Sequence, residues 1–258
     1  MGAIDYGLFV DESGEGRLLN PVNPPDSKRC LWVTAAVCVP WDNIPALDVE
    51  VKALLKKNLT GTPPELKGFD LPRLLRLGRT MSDIAQDVAS AVTKAGAKVW
   101  IVAACPGAAD VPGLGPIVLR ISNRNPLPKD NARQLLLERV NGYAVPRYHP
   151  SGSWLLIWDL SNAHELKDFG RSIAEFQNLA TGSTLRAAIV PALLGGLSHD
   201  WAPLQVADFY ANFALNQRAE EFGFRDTSPA KAEAFRNHLR GTLAIDANNK
   251  LVGWKTWG

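Results

Sequence analysis

The chain has 258 residues, of which 46% are hydrophobic and 21% are charged, and its formal net charge is +2. This composition is typical of a globular protein and excludes wholesale disorder, while the small net charge neither requires nor excludes nucleic acid as a partner. At this length we expect one α/β domain over residues 1–258, with a substantial core.

The first predicted element is the apolar run at residues 8–10, which favours a strand and ends at Asp11. Another strand is predicted soon after it, and further along the chain strands alternate with segments of helical periodicity. This order is typical of a mixed sheet covered by helices. The strands are predicted at residues 8–10, 17–19, 30–39, 98–105, 153–159 and 185–190, and the helices at 44–55, 82–94, 131–143, 164–179, 203–221 and 227–239.

The apolar stretches and the cysteines bear on the compartment. The longest apolar stretches, residues 31–41 and 187–197, are shorter than the roughly 20 residues that span a bilayer, and the N-terminus does not resemble a signal peptide. Three cysteines show no Cys-x-x-Cys spacing, which favours free thiols in a reducing compartment. We therefore expect a cytoplasmic protein that does not contact a membrane.

Two acids follow predicted central strands. Asp11 ends the first strand and Asp159 ends the strand at 153–159, and both strands are apolar on both faces. If the two strands are parallel neighbours, the two carboxylates lie side by side at the carboxyl edge of the sheet. Glu12 would point to the opposite face if its strand continues that far, so it is a possible additional ligand only if the chain has already turned.

Asp208 lies on the strongest predicted helix. Leu204, Ala211 and Leu215 share its helical face, which is otherwise apolar, so we expect the carboxylate to point toward the protein body. A buried carboxylate needs a cation, hydrogen bonds or a raised pKa, because desolvation of an isolated charge is costly. The alternative interpretation is an aspartate paired with a local arginine or a backbone amide.

Glu65 follows Pro63-Pro64, which would hold it on a stiff connection, although it is also a plausible surface acid. Carboxylates from four segments, without Cys or His companions, would form an oxygen-ligand site that suits Mg²⁺ or Mn²⁺ rather than zinc. Two such ions about 4 Å apart support phosphodiester cleavage. The sequence therefore predicts Asp11, Glu65, Asp159 and Asp208 as metal ligands and catalytic residues, with Lys67 and His199 as possible additional residues.

Two basic stretches are predicted to bind nucleic acid. One follows Glu65, and the other, residues 117–149, has six Arg or Lys against two acids. Binding to phosphates needs such a local excess of positive charge, although a solvated helix face would have the same composition. The predicted nucleic-acid contacts are Arg73, Arg76, Arg79, Arg120, Arg124 and Arg133.

Four segments resemble a known family. Phe9-Val-Asp-Glu-Ser-Gly14, Glu65-Leu-Lys-Gly68, Asp159 and Leu204-Gln-Val-Ala-Asp208 are similar to a bacterial and phage domain-of-unknown-function family in the ribonuclease H-like superfamily. Its signatures are an Asp-Glu-Ser-Gly start and a Leu-Gln-x-Ala-Asp end, and the resemblance spans about residues 6–215. It implies one ribonuclease H-like domain with insertions, a mixed sheet with helices on both faces, and a metal site of the same four acids.

The chain departs from ribonuclease H proper in one respect, because the strand at 98–105 carries no acid. Asp110 is therefore an alternative to Asp159 as the third ligand. The function predicted from these residues is a metal-dependent nuclease with Mg²⁺ or Mn²⁺, in which Asp11 bridges the ions. The alternatives are a non-catalytic module of this fold that binds nucleic acid or protein, and an actin-like ATPase, for which the chain lacks Gly-rich phosphate loops.

Overall fold

The computed structural model describes residues 4–15, 28, 31–61, 65–68, 71–104, 128–140, 153–159, 189–196, 198–245, 248, 250–251 and 253–257. The strand predicted at 17–19 and the helix predicted at 164–179 lie outside these residues, and so do Asp110, Arg120 and Arg124.

Six described strands form one mixed sheet in the order β5-β4-β1-β2-β3-β6. β2 is antiparallel to β1 and β3, whereas β4 is parallel to β1, β5 to β4 and β6 to β3. The expected mixed α/β sheet is confirmed. The strands are β1 (Tyr6–Gly14), β2 (Trp32–Pro40), β3 (Lys98–Ala104), β4 (Trp154–Asp159), β5 (Ile189–Gly196) and β6 (Trp254–Trp257).

β1 is longer than the sequence predicts. Instead of ending at Asp11 it continues to Gly14, because the antiparallel ladder with β2 continues from Asp11 opposite Ala35 to Gly14 opposite Trp32. Cross-strand pairing with the long apolar β2 therefore keeps polar residues in a strand that local composition would end. The C-terminal tail, which the sequence leaves unassigned, adds β6 to the outer edge of β3.

Six helices are described: α1 (Ile44–Asn58), α2 (Leu71–Leu74), α3 (Met81–Lys94), α4 (Pro128–Arg139), α5 (Ala202–Glu221) and α6 (Pro229–Ala234). α3 begins two residues earlier than a cap at Ser82 would allow, because Thr80 and Asp83 form a capping box. α6 leads into a π turn at Phe235–Leu239 and a 3₁₀ turn at Arg240–Thr242. None of the described helices combines the length and apolar character needed to cross a membrane.

The sheet has two covered faces, which strand alternation distinguishes. On β1, Phe9 packs into the larger apolar cluster with α1, α3 and α5, and this side is here called the front face. Leu8 and Val10 pack into a second cluster with α4, on the back face. Because successive side chains of a strand point to opposite faces, Asp11 belongs to the front face and Glu12 to the back face.

Candidate functional site

Asp11 and Asp159 lie next to each other just beyond the end of the ladder that joins the parallel strands β1 and β4. Val10 and Trp158 are the last Cα partners of the β1–β4 ladder, and the two aspartates follow them directly. Both belong to the front face, because Phe9 and Ile157, two residues earlier on each strand, pack in the front cluster. Their outer Cα partners are small, Ala35 on β2 and Gly196 on β5, so the neighbouring strands place no bulky side chain beside the acids.

Asp208 approaches this edge from α5, which packs across the front of β1 and β2. Its Oδ2 accepts a hydrogen bond from the backbone N–H of Gly68 at 2.8 Å. Burial raises the pKa of the Asp208 carboxyl, and the charges of Asp159 and Glu65 raise it further, whereas the Gly68 N–H and Lys67 oppose the shift. The carboxylate therefore lies inside the protein with other acids as close electrostatic neighbours.

Asp11 experiences the same environment more strongly. Burial raises the pKa of its carboxyl well above the usual range, and repulsion from Asp208 and Asp159 adds to that increase. The backbone N–H of Glu12 donates to Asp11 Oδ1 at 2.6 Å, which favours the charged form without offsetting the other effects. Aspartates from β1, β4 and α5 thus form one electrostatically coupled group, here called the acidic site together with Glu65.

The segment 65–68 joins the acidic site through its backbone. The N–H of Leu66 donates to Gln205 Oε1 at 2.8 Å, and the N–H of Gly68 donates to Asp208. Both acceptors belong to α5, three residues apart, so they lie on one helical face. The buried Leu66 side chain packs in the front cluster and fixes the same segment from its apolar side.

Gly68 is fixed on its carbonyl side by a buried lysine of α6. Lys231, only 5% exposed, donates from Nζ to the Gly68 carbonyl at 2.6 Å and to Asn212 Oδ1 at 2.8 Å. A Cβ added at Gly68 would lie 2.7 Å from the Cβ of Asn212, so a larger residue would force the segment away from α5. This close approach gives a physical reason for glycine at the end of Glu65-Leu-Lys-Gly68.

Lys67 brings a positive charge to the acids. Its Nζ lies 3.2 Å from Glu65 Oε1, and its side chain is about half exposed. Burial lowers the pKa of the Lys67 ammonium, but its hydrogen bond to Glu65 and the charges of Glu65, Asp208 and Asp159 outweigh this effect, so the net pKa is raised. Lys67 is therefore a cation that partly neutralises the acidic site.

The carboxylates of the acidic site are possible ligands for a metal ion. The neighbouring acids raise the pKa of the Asp11 and Asp208 carboxyls, an electrostatic setting that favours a bound cation, and oxygen ligands suit Mg²⁺ or Mn²⁺. Among the described residues, however, no three His, Cys, Asp or Glu side chains stand close enough together to hold an ion as they are. The chemistry of the donors fits, and binding would require the side chains to close around the ion.

The structure decides between the two alternatives for Glu12 and corrects the expectation for Arg133. Glu12 points to the back face, where it accepts hydrogen bonds from Arg133 Nε and Nη2 at 3.0 and 2.6 Å. Thr34 Oγ1 and Trp32 Nε1 donate to the same carboxylate. Glu12 is therefore not directed into the acidic site. Arg133, only 4% exposed, is a buried partner of Glu12 rather than a contact for nucleic acid.

The other predicted residues lie outside the contacts described above. His199 is exposed on the 3₁₀ turn Ser198–Asp200, with Nε2 3.3 Å from Asp200 Oδ1. Arg73 is exposed on α2, and Arg76, also exposed, donates from Nε to the Leu59 carbonyl at 2.7 Å. Arg79 Nη1 is 4.0 Å from Asp83 Oδ1.

Sequence reasoning missed the polar residues that hold the segment 65–68. Gln205 and Asn212 flank Asp208 at i−3 and i+4, so a polar line on an otherwise apolar helix was a readable signal. Lys231 had no comparable signal, because a single lysine in Pro-Ala-Lys-Ala-Glu-Ala is typical of an exposed helix.

Comparisons with known proteins assign no family to this arrangement. No protein-family model matches the chain, and no curated protein matches it.

Proposed function

We propose that the protein is a metal-dependent nuclease that hydrolyses phosphodiester bonds at the acidic site. The observation that carries this proposal is the electrostatic coupling of Asp11, Asp159 and Asp208, which come from three separate elements. Glu65 is coupled to Asp208 in the same way. A fold gains no stability from mutually repelling, half-buried carboxylates, so a bound cation is a physical reason for their convergence.

The sheet supports a ribonuclease H-like assignment. β1, β2 and β3 form an antiparallel meander, and β4 and β5 continue in parallel from the other side of β1. This order, with only the second strand reversed, is compatible with the proposed ribonuclease H-like fold, in which β6 would be an addition at the outer edge. The acidic site lies where the β1–β4 ladder ends, on the side of the sheet where open α/β sheets place their ligands.

Each acid would have its own role in binding the ion. Asp11 would be the shared ligand, and Asp159 and Asp208 would each contribute a further carboxylate. The Gly68 N–H donates to Asp208 Oδ2, so Asp208 Oδ1 would be the oxygen that binds the ion. Glu65 would complete the set or orient a water molecule. Bound Mg²⁺ or Mn²⁺ would supply an activated water and charge stabilisation for the leaving oxygen.

Nucleic acid is the proposed substrate because one cation lies beside the acids and two exposed arginines follow it in the sequence. Lys67 is half exposed beside Glu65, and Arg73 and Arg76 are exposed a few residues further along the same segment. Such cations neutralise phosphates, so binding should weaken as the salt concentration rises. The buried free thiol of Cys38 is compatible with the proposed cytoplasmic location.

The test is cleavage of labelled single- and double-stranded DNA and RNA with Mn²⁺, Mg²⁺ or EDTA. We expect Asp11→Asn and Asp208→Asn to lose at least 100-fold in cleavage rate, because each removes a proposed ligand charge. Asp48→Asn is the control, since Asp48 pairs with Lys52 on the surface of α1. Wild-type cleavage that persists in EDTA, or full activity of Asp11→Asn, would contradict the proposal.

One observation favours a second candidate, a non-catalytic module that binds nucleic acid or protein. Lys67 already places an ammonium group beside the acids, and the described side chains are not arranged as a metal site. A protein that needs no metal ion could neutralise its acids with a lysine in this way. Calorimetric titration with Mn²⁺ separates the two functions, because the module would show no saturable binding that depends on Asp11.

A further inference from the structure

The back of the sheet carries a buried ion pair directly behind the acidic site. Arg133 of α4 donates two hydrogen bonds to the Glu12 carboxylate of β1, from Nε at 3.0 Å and from Nη2 at 2.6 Å. Thr34 and Trp32 of β2 donate to the same carboxylate at 3.1 and 3.2 Å. The exposed fractions of the two charged side chains are only 4% and 11%, so the pair is removed from solvent.

Arg133 also reaches β4. Its guanidinium carbon stands 5.3 Å from the ring centre of Trp158, a fully buried residue of the back face. Trp158 immediately precedes Asp159, just as Glu12 immediately follows Asp11. One side chain therefore contacts both strands that carry the aspartates, at the level where the aspartates face the opposite side.

The link from Arg133 to Asp11 is continuous. The Glu12 carboxylate accepts four hydrogen bonds, which hold its side chain in place. A side chain held in this way also restrains the backbone of the same residue. The N–H of that residue donates to Asp11 Oδ1 at 2.6 Å. A change in the Glu12 backbone would therefore rotate the carboxylate that the proposed function uses as the shared ligand.

We propose that Arg133 is a positioning residue for the acidic site, which fixes the relative placement of Asp11 and Asp159 from the back of the sheet. This inference rests on the proposed function. A planar guanidinium that binds a carboxylate through two parallel hydrogen bonds specifies geometry as well as charge, which an ammonium does not. A buried ion pair is also a poor way to gain stability compared with apolar packing, so stability alone is a weak reason for it.

The inference makes Arg133→Lys and the double variant Glu12→Gln/Arg133→Met informative. Arg133→Lys keeps the positive charge but loses the pair of parallel hydrogen bonds to Glu12. Removing only the arginine would leave an unpaired buried carboxylate, so the double variant removes both charges and should regain folding. We expect both variants to bind Mn²⁺ about 10- to 100-fold more weakly than wild type, the range found when groups that orient metal ligands are removed.

A matched control is available on α5. Arg218 also pairs with a carboxylate, Glu221 at 2.7 Å, and stands 4.3 Å from the ring centre of Phe222. It lies ten residues beyond Asp208, near the other end of the helix. Arg218→Met therefore removes the same kinds of contact away from the acidic site, and it should bind Mn²⁺ as wild type does.

The experiment is calorimetric Mn²⁺ titration of wild type, both Arg133 variants and Arg218→Met, with thermal melting of each metal-free protein as the folding check. Weaker Mn²⁺ binding by a folded Arg133 variant, with Arg218→Met unchanged, supports the inference. If wild type binds and both folded variants bind equally well, only the positioning role is overturned. Wild type that binds no Mn²⁺ overturns the proposed function and this inference together. If Arg133→Lys does not fold, the double variant decides the result.

Discussion

At the scale of single residues, Asp11 shows a conflict between stability and function. Burial and two neighbouring aspartates raise the pKa of its carboxyl, so ionisation of this residue costs the folded protein free energy. The same repulsion is what a divalent cation would relieve. Such a residue destabilises the metal-free protein and stabilises the metal-bound protein. This behaviour is expected at a metal site rather than in a structural core.

Asp11→Asn is therefore expected to raise the melting temperature of the metal-free protein, because it removes a buried, repelled charge of nearly the same shape. For a chain of this length, each kcal/mol relieved corresponds to roughly 2–4 °C in Tm. The same variant should lose the additional stabilisation that Mn²⁺ gives to wild type. Calorimetric melting with EDTA and with Mn²⁺ measures both effects, and a lower Tm of the variant in EDTA would contradict the account.

The pH dependence has a definite sign. The pKa of the Asp11 carboxyl is higher in the folded protein than in the unfolded chain, so the folded state binds its proton more tightly. The contribution of Asp11 to metal-free stability is therefore most favourable below about pH 4 and is lost as the pH rises through its folded pKa. Asp208, whose pKa is also raised, acts in the same direction.

Urea denaturation of wild type and Asp11→Asn in EDTA, between pH 4 and 8, measures this dependence. The difference in unfolding free energy between the variant and wild type should increase as the pH rises, because only wild type must ionise Asp11. Asp48→Asn, which changes an exposed pair with Lys52, serves as the control with little pH dependence. A difference that stays constant over this range would contradict the raised pKa.

At the scale of elements, the segment 65–68 is held between α5 and α6. Asp208 accepts from the Gly68 N–H, and Lys231 donates to the Gly68 carbonyl. These contacts orient Glu65 and Lys67 toward the acids without using either side chain. The two helices thus position part of the acidic site through backbone hydrogen bonds, so changes far from the acids should affect ion binding.

Lys231→Met tests this arrangement. The change leaves the Gly68 carbonyl and Asn212 Oδ1 without the Lys231 ammonium, and a lost buried partner costs about 1–3 kcal/mol of unfolding free energy. We expect weaker Mn²⁺ binding as well, because the segment is released. Lys52→Met, at an exposed pair on α1, is the control. Urea denaturation measures the stability and calorimetric titration measures Mn²⁺ binding. A Lys231→Met protein as stable as the control would contradict this arrangement.

Gly68→Ala examines the same contact from the other side. The added methyl group would lie 2.7 Å from the Cβ of Asn212, which the packed helix cannot accommodate without movement. Overpacking of this kind costs about 1–3 kcal/mol. Gly61→Ala is a useful comparison: its Cβ would meet open space, so only its positive φ of 74° opposes the change. A Gly68→Ala protein with wild-type stability would contradict the close packing.

At the scale of the whole molecule, apolar periodicity predicted most of the described sheet and the helices that cover it. The strand ends were less predictable, because β1 continues to Gly14 through pairing with β2, a long-range contact that local composition does not encode. The placement of Asp11 and Asp159 on one edge followed from the strand pattern and the parallel register. Pleat alternation also predicted that Glu12 would face away from Asp11.

The partners of these residues could not be predicted. Arg133 was predicted as a nucleic-acid contact in a basic stretch, and no role was predicted for Lys231, because a sequence does not show which face of a helix meets a buried carboxylate or carbonyl. Both are buried by tertiary packing, the first on the back face and the second behind Gly68. Long charged residues are rarely buried, so the exposed position expected of Arg133 was reasonable, and it was wrong.

Crystals soaked in Mn²⁺ would show whether the acidic site closes around a divalent cation. We expect an anomalous-scattering peak with carboxylate oxygens of Asp11, Asp159 and Asp208 about 2.0–2.3 Å from the ion, and Lys67 displaced from the acids. Crystals that show no such peak at saturating Mn²⁺, with Lys67 still beside Glu65, would contradict the proposed metal site.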